Sequence, residues 1–295
     1  MTSSILVTGA SGQLGGYLLR ELRRRGAAVT AWSGSRRGEL FGYEWLPVDL
    51  ADRELVTASF HQACPAVVIH AGAFSRIDQC HADPAAATRV NEQGTALLAE
   101  LCEATGTRLV YVSTDLVFDG QRGGYCEDDA PAPLSVYGRT KAAAERAVLG
   151  RRRAVVVRIS LMFGPSLVGR AAFFDGQLRA LRDRVPLRLF SDEWRTPLSL
   201  QTAALGLLAV AESDFDGLLH FGGPERMTRL EMGLRLATLL GADPGLIVAV
   251  RQADAPLPEP RPRDVSLNSQ RFRQIFPRSP WPDWETALTE MGLRR

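Results

Sequence analysis

The chain has 295 residues, 45% hydrophobic and 23% charged, with a formal charge of +2. That length can bury a sizeable core in one large domain or two modest ones. The near-balanced charge, with no single-sign block beyond Arg23–Arg25 and Arg151–Arg153, argues against nucleic acid as a main partner. No apolar run approaches the roughly 20 residues of a membrane span, and Met1–Thr8 reads as a strand-like run rather than a signal peptide. The four cysteines (Cys64, Cys80, Cys102, Cys126) form no CxxC pair, so neither a disulfide framework nor a zinc site is expected. The histidines His61, His70, His81 and His220 show no metal spacing, and no metal is expected. A reduced, cytoplasmic protein with no membrane partner is the expectation.

In chain order, Ile5–Val7 is a short apolar run that turns at Gly9–Gly12. Leu14, Tyr17, Leu18 and Leu22 then fall at helical spacing over Gln13–Arg25, and Gly26 closes that helix. Ala28–Trp32 and Glu44–Val48 read as strands. Asp52 caps a helix running to Ala63. Ala66–His70 is an apolar strand, and Pro84 suits the first turn of a long helix over Asp83–Thr105. Arg108–Ser113 and Ala154–Ile159 are strands flanking a helix at Val136–Leu149. Alternation of this kind argues for an α/β fold, a Rossmann-type doubly wound parallel sheet. Beyond Gly164 short strands (Leu187–Phe190, Leu218–Phe221, Ile247–Val250) mix with helices (Leu200–Ala211, Thr228–Leu240, Trp284–Met291). Four prolines in Ala255–Arg263 make that stretch an extended loop. The expected division is a nucleotide-binding domain over 1–160 and a smaller α/β substrate-binding region over 161–295, partly interleaved, with helix 200–211 returning to the first.

Thr8-Gly9-Ala10-Ser11-Gly12-Gln13-Leu14-Gly15 is a GxxGxxG loop between the first strand and the first helix. A pyrophosphate needs backbone N–H groups brought close with no Cβ in the way, and it gains from the positive end of the helix dipole. Gly9 makes the turn, Gly12 permits close approach and Gly15 lets helix pack on strand. An acidic residue at the end of the second strand would favour NAD. Here Trp32-Ser33-Gly34-Ser35-Arg36-Arg37 supplies two guanidiniums where a 2′-phosphate would lie, which favours NADPH, with NADH as an alternative. A solvated surface pair also explains Arg36 and Arg37 in so arginine-rich a chain. Asp49-Leu50, after the third strand, is placed to touch the adenine, and a helix-entry loop accounts for that Asp equally well.

The chain holds 35 Lys plus Arg, and Lys141 is the single lysine among them. It lies four residues after Tyr137, on the same helix face. With five tyrosines and one lysine, chance sets that spacing in about 2% of placements, against a background in which helical pairs are common. A free Tyr titrates near pKa 10, and a neighbouring ammonium stabilises its phenolate. A compact ammonium also serves as a point donor to hydroxyls in a way guanidinium does not. Upstream, Ser113-Thr114-Asp115 leaves a strand on the side of the sheet where such folds bind ligands. Either hydroxyl could bridge a substrate oxygen and the Tyr, or satisfy a strand-end turn.

Together these residues resemble the extended short-chain dehydrogenase/reductase superfamily, and within it the dTDP-4-dehydrorhamnose reductase family. Ile5–Gly15 resembles its nucleotide loop. His70–Asp78 resembles the cofactor-lining "AAAYTxVD" and Val90–Thr95 the "VNxxGT" helix. Ser113–Gly120 resembles "STDYVFDG", the most specific likeness, and Tyr137–Lys141 the YGxTK motif. Arg158–Ser160 resembles "RTS", and Asp192–Pro197 loosely "DQxGxPT". The resemblance implies that Thr114, Tyr137 and Lys141 are catalytic, with Tyr137 protonating a C4 carbonyl oxygen as hydride arrives from NADPH. Lys141 would hold the nicotinamide ribose and lower the Tyr pKa. It implies cofactor contacts from Gly9, Ser11, Gly12, Gln13, Leu14, Gly15, Ser33, Arg36, Arg37, Asp49, Leu50, Ala71, Gly72, Ala73, Tyr137 and Lys141. It implies contacts to a nucleotide-sugar substrate from Thr114, Asp115, Leu161 and Arg195. Leu161 stands where the family often has Trp, and Arg195 sits in the altered "DQxGxPT" loop. Arg261 and Arg263 are further candidates for the sugar diphosphate. Members commonly dimerise through the helices here read at 91–105 and 136–149. Two other readings follow from the same superfamily: a nucleotide-sugar epimerase or dehydratase, and an NADP-binding partner protein like the beta subunit of methionine adenosyltransferase.

Overall fold

The computed structural model describes residues 4–293. Its centre is an eight-stranded sheet. The strands are β1 (Ile5–Thr8), β2 (Val29–Trp32), β3 (Gly38–Leu40), β4 (Tyr43–Leu46), β5 (Val67–His70), β6 (Arg108–Thr114), β7 (Ala154–Ile159) and, at one edge, Gly217–Phe221. In space the order runs from that edge strand through β7, β6, β5, β1, β2 and β4 to β3. All pairings are parallel except β3 with β4. The chain therefore builds outward from β1 in one direction, then returns to lay β5 on its other side. The crevice between the carboxyl ends of β1 and β5, where Thr8 pairs with His70, is the topological switch point at which such sheets bind ligands.

Two-residue periodicity separates two cores. Val7, Ile69, Val110, Val112, Val155 and Val157 face Leu14, Leu18 and Leu22 of the helix Gln13–Arg24 (α1) together with Ala203 and Leu207 of the helix Leu200–Ala211. Leu6, Val68, Leu109, Tyr111 and Val156 face Val56, Phe60, Leu98, Cys102, Ala144 and Val148 on the other side. A third cluster packs Phe174, Leu181, Leu189, Met232, Leu236, Ile247 and Trp284. It sits around the parallel pair Leu187–Phe190 and Ile247–Val250. The chain after 160 thus contributes to both bodies: Leu200–Ala211 and the edge strand join the large sheet, and the rest builds the third cluster.

Local signals act as expected at several ends. Gly26 takes φ +63 after α1, Asp52 accepts from Leu55 N at 2.9 Å, and Ser135 accepts from Gly138 N at 3.0 Å to start the helix Val136–Val148. The single helix expected over 83–105 is instead three pieces. Pro84–Ala87 is α-helical, Thr88–Gln93 is a π turn, and Gly94–Thr105 is α-helical again. The cause is Asn91, whose amide is buried against Phe74 N (2.7 Å), Phe74 O (3.0 Å) and Thr140 Oγ1 (3.0 Å). The wider turn swings this side chain inward, a distortion that marks functional segments in many helices. Sequence periodicity also missed β3, the helix Ile77–Ala82 and the helix Phe173–Arg182, whose Phe174, Leu178 and Leu181 do carry helical spacing. Ala255–Arg263 holds neither helix nor strand. No helix among the described residues is long and apolar enough to cross a membrane.

Candidate active site

A groove of about 1330 Å³ opens along the switch point. Its floor at one end is the glycine loop. Gly9 has φ +71, and a Cβ there would lie 2.8 Å from the backbone of Ala71 and Gly72. A Cβ on Gly15 would drive into the Gly9 carbonyl oxygen and come within 2.8 Å of the Ala10 Cα. Gly12 is the N-cap of α1 and offers no side-chain cap, so the helix's first N–H groups stay open to an anion. Gly15→Ala is expected to cost about 2 kcal/mol or more in a urea melt, the scale of overpacking a tight contact; an unchanged melt would show that the loop gives way freely.

The loop's neighbours are pinned by a buried histidine. Thr8 Oγ1 accepts from Gly72 N at 2.9 Å and is hydrogen-bonded to His70 Nδ1 at 2.6 Å. Thr95 Oγ1 donates to Asn91 O at 2.6 Å, leaving its lone pairs for the His70 Nε2–H at 2.9 Å. This fixes a neutral His70, and burial, reinforced by Lys141, pulls its pKa down to about 3. His220 is likewise neutral: burial and then Arg158 pull it to about 3, and its Nδ1–H donates to Tyr125 O at 2.9 Å. Both stay unprotonated in the folded chain while the unfolded chain takes up protons below about pH 6.5. Stability is therefore expected to fall as pH drops from about 6.5 toward 3, by about 1.4 kcal/mol per pH unit for each histidine. Urea melts at pH 7 and pH 5 check this, and flat stability across that range would contradict it.

The groove wall includes Ser11, Gly12, Gln13, Leu14, Arg36, Asp49, Leu50 and Ala71–Ala73. Two residues read from the sequence as cofactor contacts lie elsewhere. Ser33 is fully buried and its hydroxyl donates to the Arg36 carbonyl, shaping the turn rather than facing the groove. Arg37 is exposed and outside the lining, whereas Arg36 lines the groove with its guanidinium 5.8 Å from the Trp45 ring. Arg36 is therefore the guanidinium of the pair that lines the groove.

At the other end Thr114, Asp115, Tyr137, Lys141 and Leu161 come together. Hydrogen bonding decides between the two hydroxyls. Ser113 also lines the groove, but its hydroxyl is taken up by Glu145, to which it donates at 2.5 Å. Thr114 donates to Asp115 Oδ1 at 3.2 Å and accepts from Leu116 N at 3.2 Å. Burial raises the Tyr137 pKa well above 10, with Cys80 and Asp115 pushing the same way and Thr114 opposing. The Lys141 ammonium is buried, donates to Val112 O at 2.7 Å and lies 4.1 Å from the Tyr111 ring. Burial pulls its pKa down to about 7, against the opposing pull of Glu145. The ammonium faces Tyr111 and the strand carbonyl. Burial also raises the Asp115 pKa, opposed by Arg195, Ser160 and Thr114.

Arg195 is buried and tied back: it donates to Trp194 O at 2.6 Å and lies 3.4 Å from Glu193 and 3.9 Å from Asp115. Beside it Arg229, unremarked in the sequence, stacks 4.5 Å from the Phe173 ring and carries a buried Nη1 with no hydrogen-bond partner. Glu193 is shared among Arg195, Arg229 and Arg261, and its Oε2 also lacks a hydrogen bond. Arg261 lines the groove and Arg263 does not. As one of many arginines, with only a helix start to mark it, Arg229 gave no signal beforehand.

The RmlD substrate binding domain family matches residues 2–294. The chain belongs to that family. It is 35% identical over 293 residues to a dTDP-4-dehydrorhamnose reductase of Streptomyces griseus, covering 97% of this chain and 91% of that protein. It is 30% identical over 283 residues to methionine adenosyltransferase 2 subunit beta of Pongo abelii, covering 92% of this chain and 82% of that one. A solved dTDP-4-dehydrorhamnose reductase of Bacillus anthracis in complex with NADP superposes with a TM-score of 0.88 at 22% identity, covering 99% of both chains. The Rossmann-type fold expected from the sequence is shared with that structure.

Proposed function

We propose that this chain is an NADPH-dependent reductase of the C4 keto group of a nucleotide-linked 6-deoxy sugar, most like dTDP-4-dehydrorhamnose reductase, with NADH as a poorer donor. One observation carries the reading: Thr114, Tyr137 and Lys141 meet in the same groove as the glycine cradle, at the carboxyl end of β6. The glycine loop and the uncapped α1 N-terminus fit a dinucleotide pyrophosphate, and Arg36 suits a 2′-phosphate. The reduced nicotinamide, when bound, supplies the hydride. Tyr137, kept protonated by burial, gives its proton to the carbonyl oxygen. Lys141, one helical turn away, stabilises the phenolate left behind and donates to ribose hydroxyls. Thr114 orients the carbonyl. Asp115 and Leu161 contact the sugar, and the cluster of Arg195, Arg229 and Arg261 against Asp115 and Glu193 leaves positive charge for a diphosphate. Residues 1–160 then form the cofactor body and 161–295 the substrate region, with helix 200–211 returned to the first. The working form is a cytoplasmic homodimer through helices 91–105 and 136–149, which light scattering checks.

A screen of nucleotide-sugars with NADPH consumption as readout tests the substrate. Consumption with dTDP-4-keto-6-deoxy sugars supports the reading, and none with any keto sugar overturns it. Arg36→Ala should raise the KM for NADPH about tenfold, the loss of one charge-assisted contact, and leave NADH unchanged; equal effects on both would remove Arg36 from phosphate recognition. The 30% identity to a methionine adenosyltransferase beta subunit favours one second reading, a binding partner without turnover. Co-purification of a synthetase with no sugar reduced would favour it.

A further inference from the structure

Lys141 is not the end of the polar side chains on its helix. One turn further, Glu145 is 1% exposed and reaches no groove. Its carboxylate accepts from Arg158 Nε at 2.9 and 3.1 Å, from Arg158 Nη2 at 2.7 Å and from Ser113 at 2.5 Å. Arg158 on β7 is 2% exposed, its guanidinium 5.0 Å from the Phe118 ring and 3.3 Å from His220 Nε2. A buried pair of this kind is not needed for stability, since apolar replacement is often neutral or better. It sets one buried carboxylate a helical turn after Lys141, with its oxygens held by Arg158 and Ser113.

Resting on the proposed role of Lys141, we propose that Glu145, clamped by Arg158 and Ser113, is a positioning residue that sets how much positive charge Lys141 carries at the working pH. Several elements bring groups toward Lys141. Its own helix offers Tyr137 and Glu145. β6 offers Tyr111 and the Val112 carbonyl. β5 offers His70, neutral and itself sensitive to Lys141. β7 offers Arg158, with His220 behind it. Cys80 and Asp115 act on Tyr137. Glu145, one helical turn from Lys141, favours the ammonium, and Arg158 holds both of its oxygens. A free Glu145 would hold Lys141 fully charged on the Val112 carbonyl, and its absence would leave an amine unable to steady the phenolate.

Because the chain has one lysine, protein labelled with 13C-lysine, carrying no lysine in any tag, gives one Cε signal whose titration reads Lys141 directly, without substrate or turnover. The midpoint should lie near pH 7 in the native chain. In Glu145→Gln it should fall by about one unit, and in Arg158→Gln rise by about one unit, the scale of one nearby charge. The alkaline limb of kcat/KM for NADPH should move the same way in each. Should either single variant fail to fold, the joint Glu145→Met and Arg158→Leu replacement decides, with the midpoint expected below the native value. Unmoved midpoints in folded variants overturn the proposal. A moved midpoint with Lys141 variants still fully active would instead overturn the catalytic reading of Lys141.

Discussion

Tyr137→Phe is expected to lower kcat about a thousandfold, mid-range for loss of a positioned general acid, with little change in KM or in melting temperature. Tyr137 and Thr114 line the same groove, and Phe keeps the ring while removing the hydroxyl. Steady-state NADPH oxidation with a keto-sugar substrate measures the loss. The pH dependence has a definite sign. Burial, with Cys80 and Asp115, keeps Tyr137 protonated beyond pH 10, so its ionisation does not limit reduction in the neutral range. Lys141, pulled to about 7 by burial, loses charge first as pH rises. The kcat/KM for NADPH should therefore decline above about pH 7, and a profile flat to pH 9 would contradict that role for Lys141.

Lys141→Arg is expected to fold and keep a positive charge yet lose about a hundredfold in turnover. The Lys141 slot is narrow: the ammonium lies 4.1 Å from the Tyr111 ring and donates to Val112 O at 2.7 Å. A planar guanidinium is larger, presents its donors in a fixed fork and cannot lose its proton. It would reach the strand carbonyl only by displacing the ring or itself entering the groove. Comparing melting temperature with kcat separates misfolding from misplacement. Full activity would mean that this lone lysine is an accident of composition.

The sheet and its first helices were legible in the residues because apolar runs and helical spacing alternate. Three glycines between an apolar run and an amphipathic helix leave few alternatives to a phosphate cradle. A Tyr and Lys four apart fix their own common face. Other parts were closed to sequence reading for equally physical reasons. The π turn depends on Asn91 finding partners at Phe74 and Thr140, contacts that no periodicity encodes. Ser113 and Thr114 are chemically alike and both line the groove, and only the fold ties the Ser113 hydroxyl to Glu145. Ser33 reads from the sequence as a cofactor contact, and the turn buries it. Arg229 was hidden among many arginines, and only its packing against Phe173 and Glu193 singles it out. The direction in which the Lys141 ammonium points, toward Tyr111 rather than Tyr137, is a matter of packing that spacing cannot give.

The most direct test of the central claim is isotope transfer. NADPH carrying deuterium on the nicotinamide C4, in the hydride position that is transferred, is incubated with the enzyme and a dTDP-4-keto-6-deoxy sugar. The product is read by mass spectrometry and proton NMR. Net reduction predicts one deuterium at sugar C4 for each NADPH oxidised, and almost none with Tyr137→Phe. A sugar converted without deuterium and without net NADPH loss would contradict it and point to a retained, recycled cofactor.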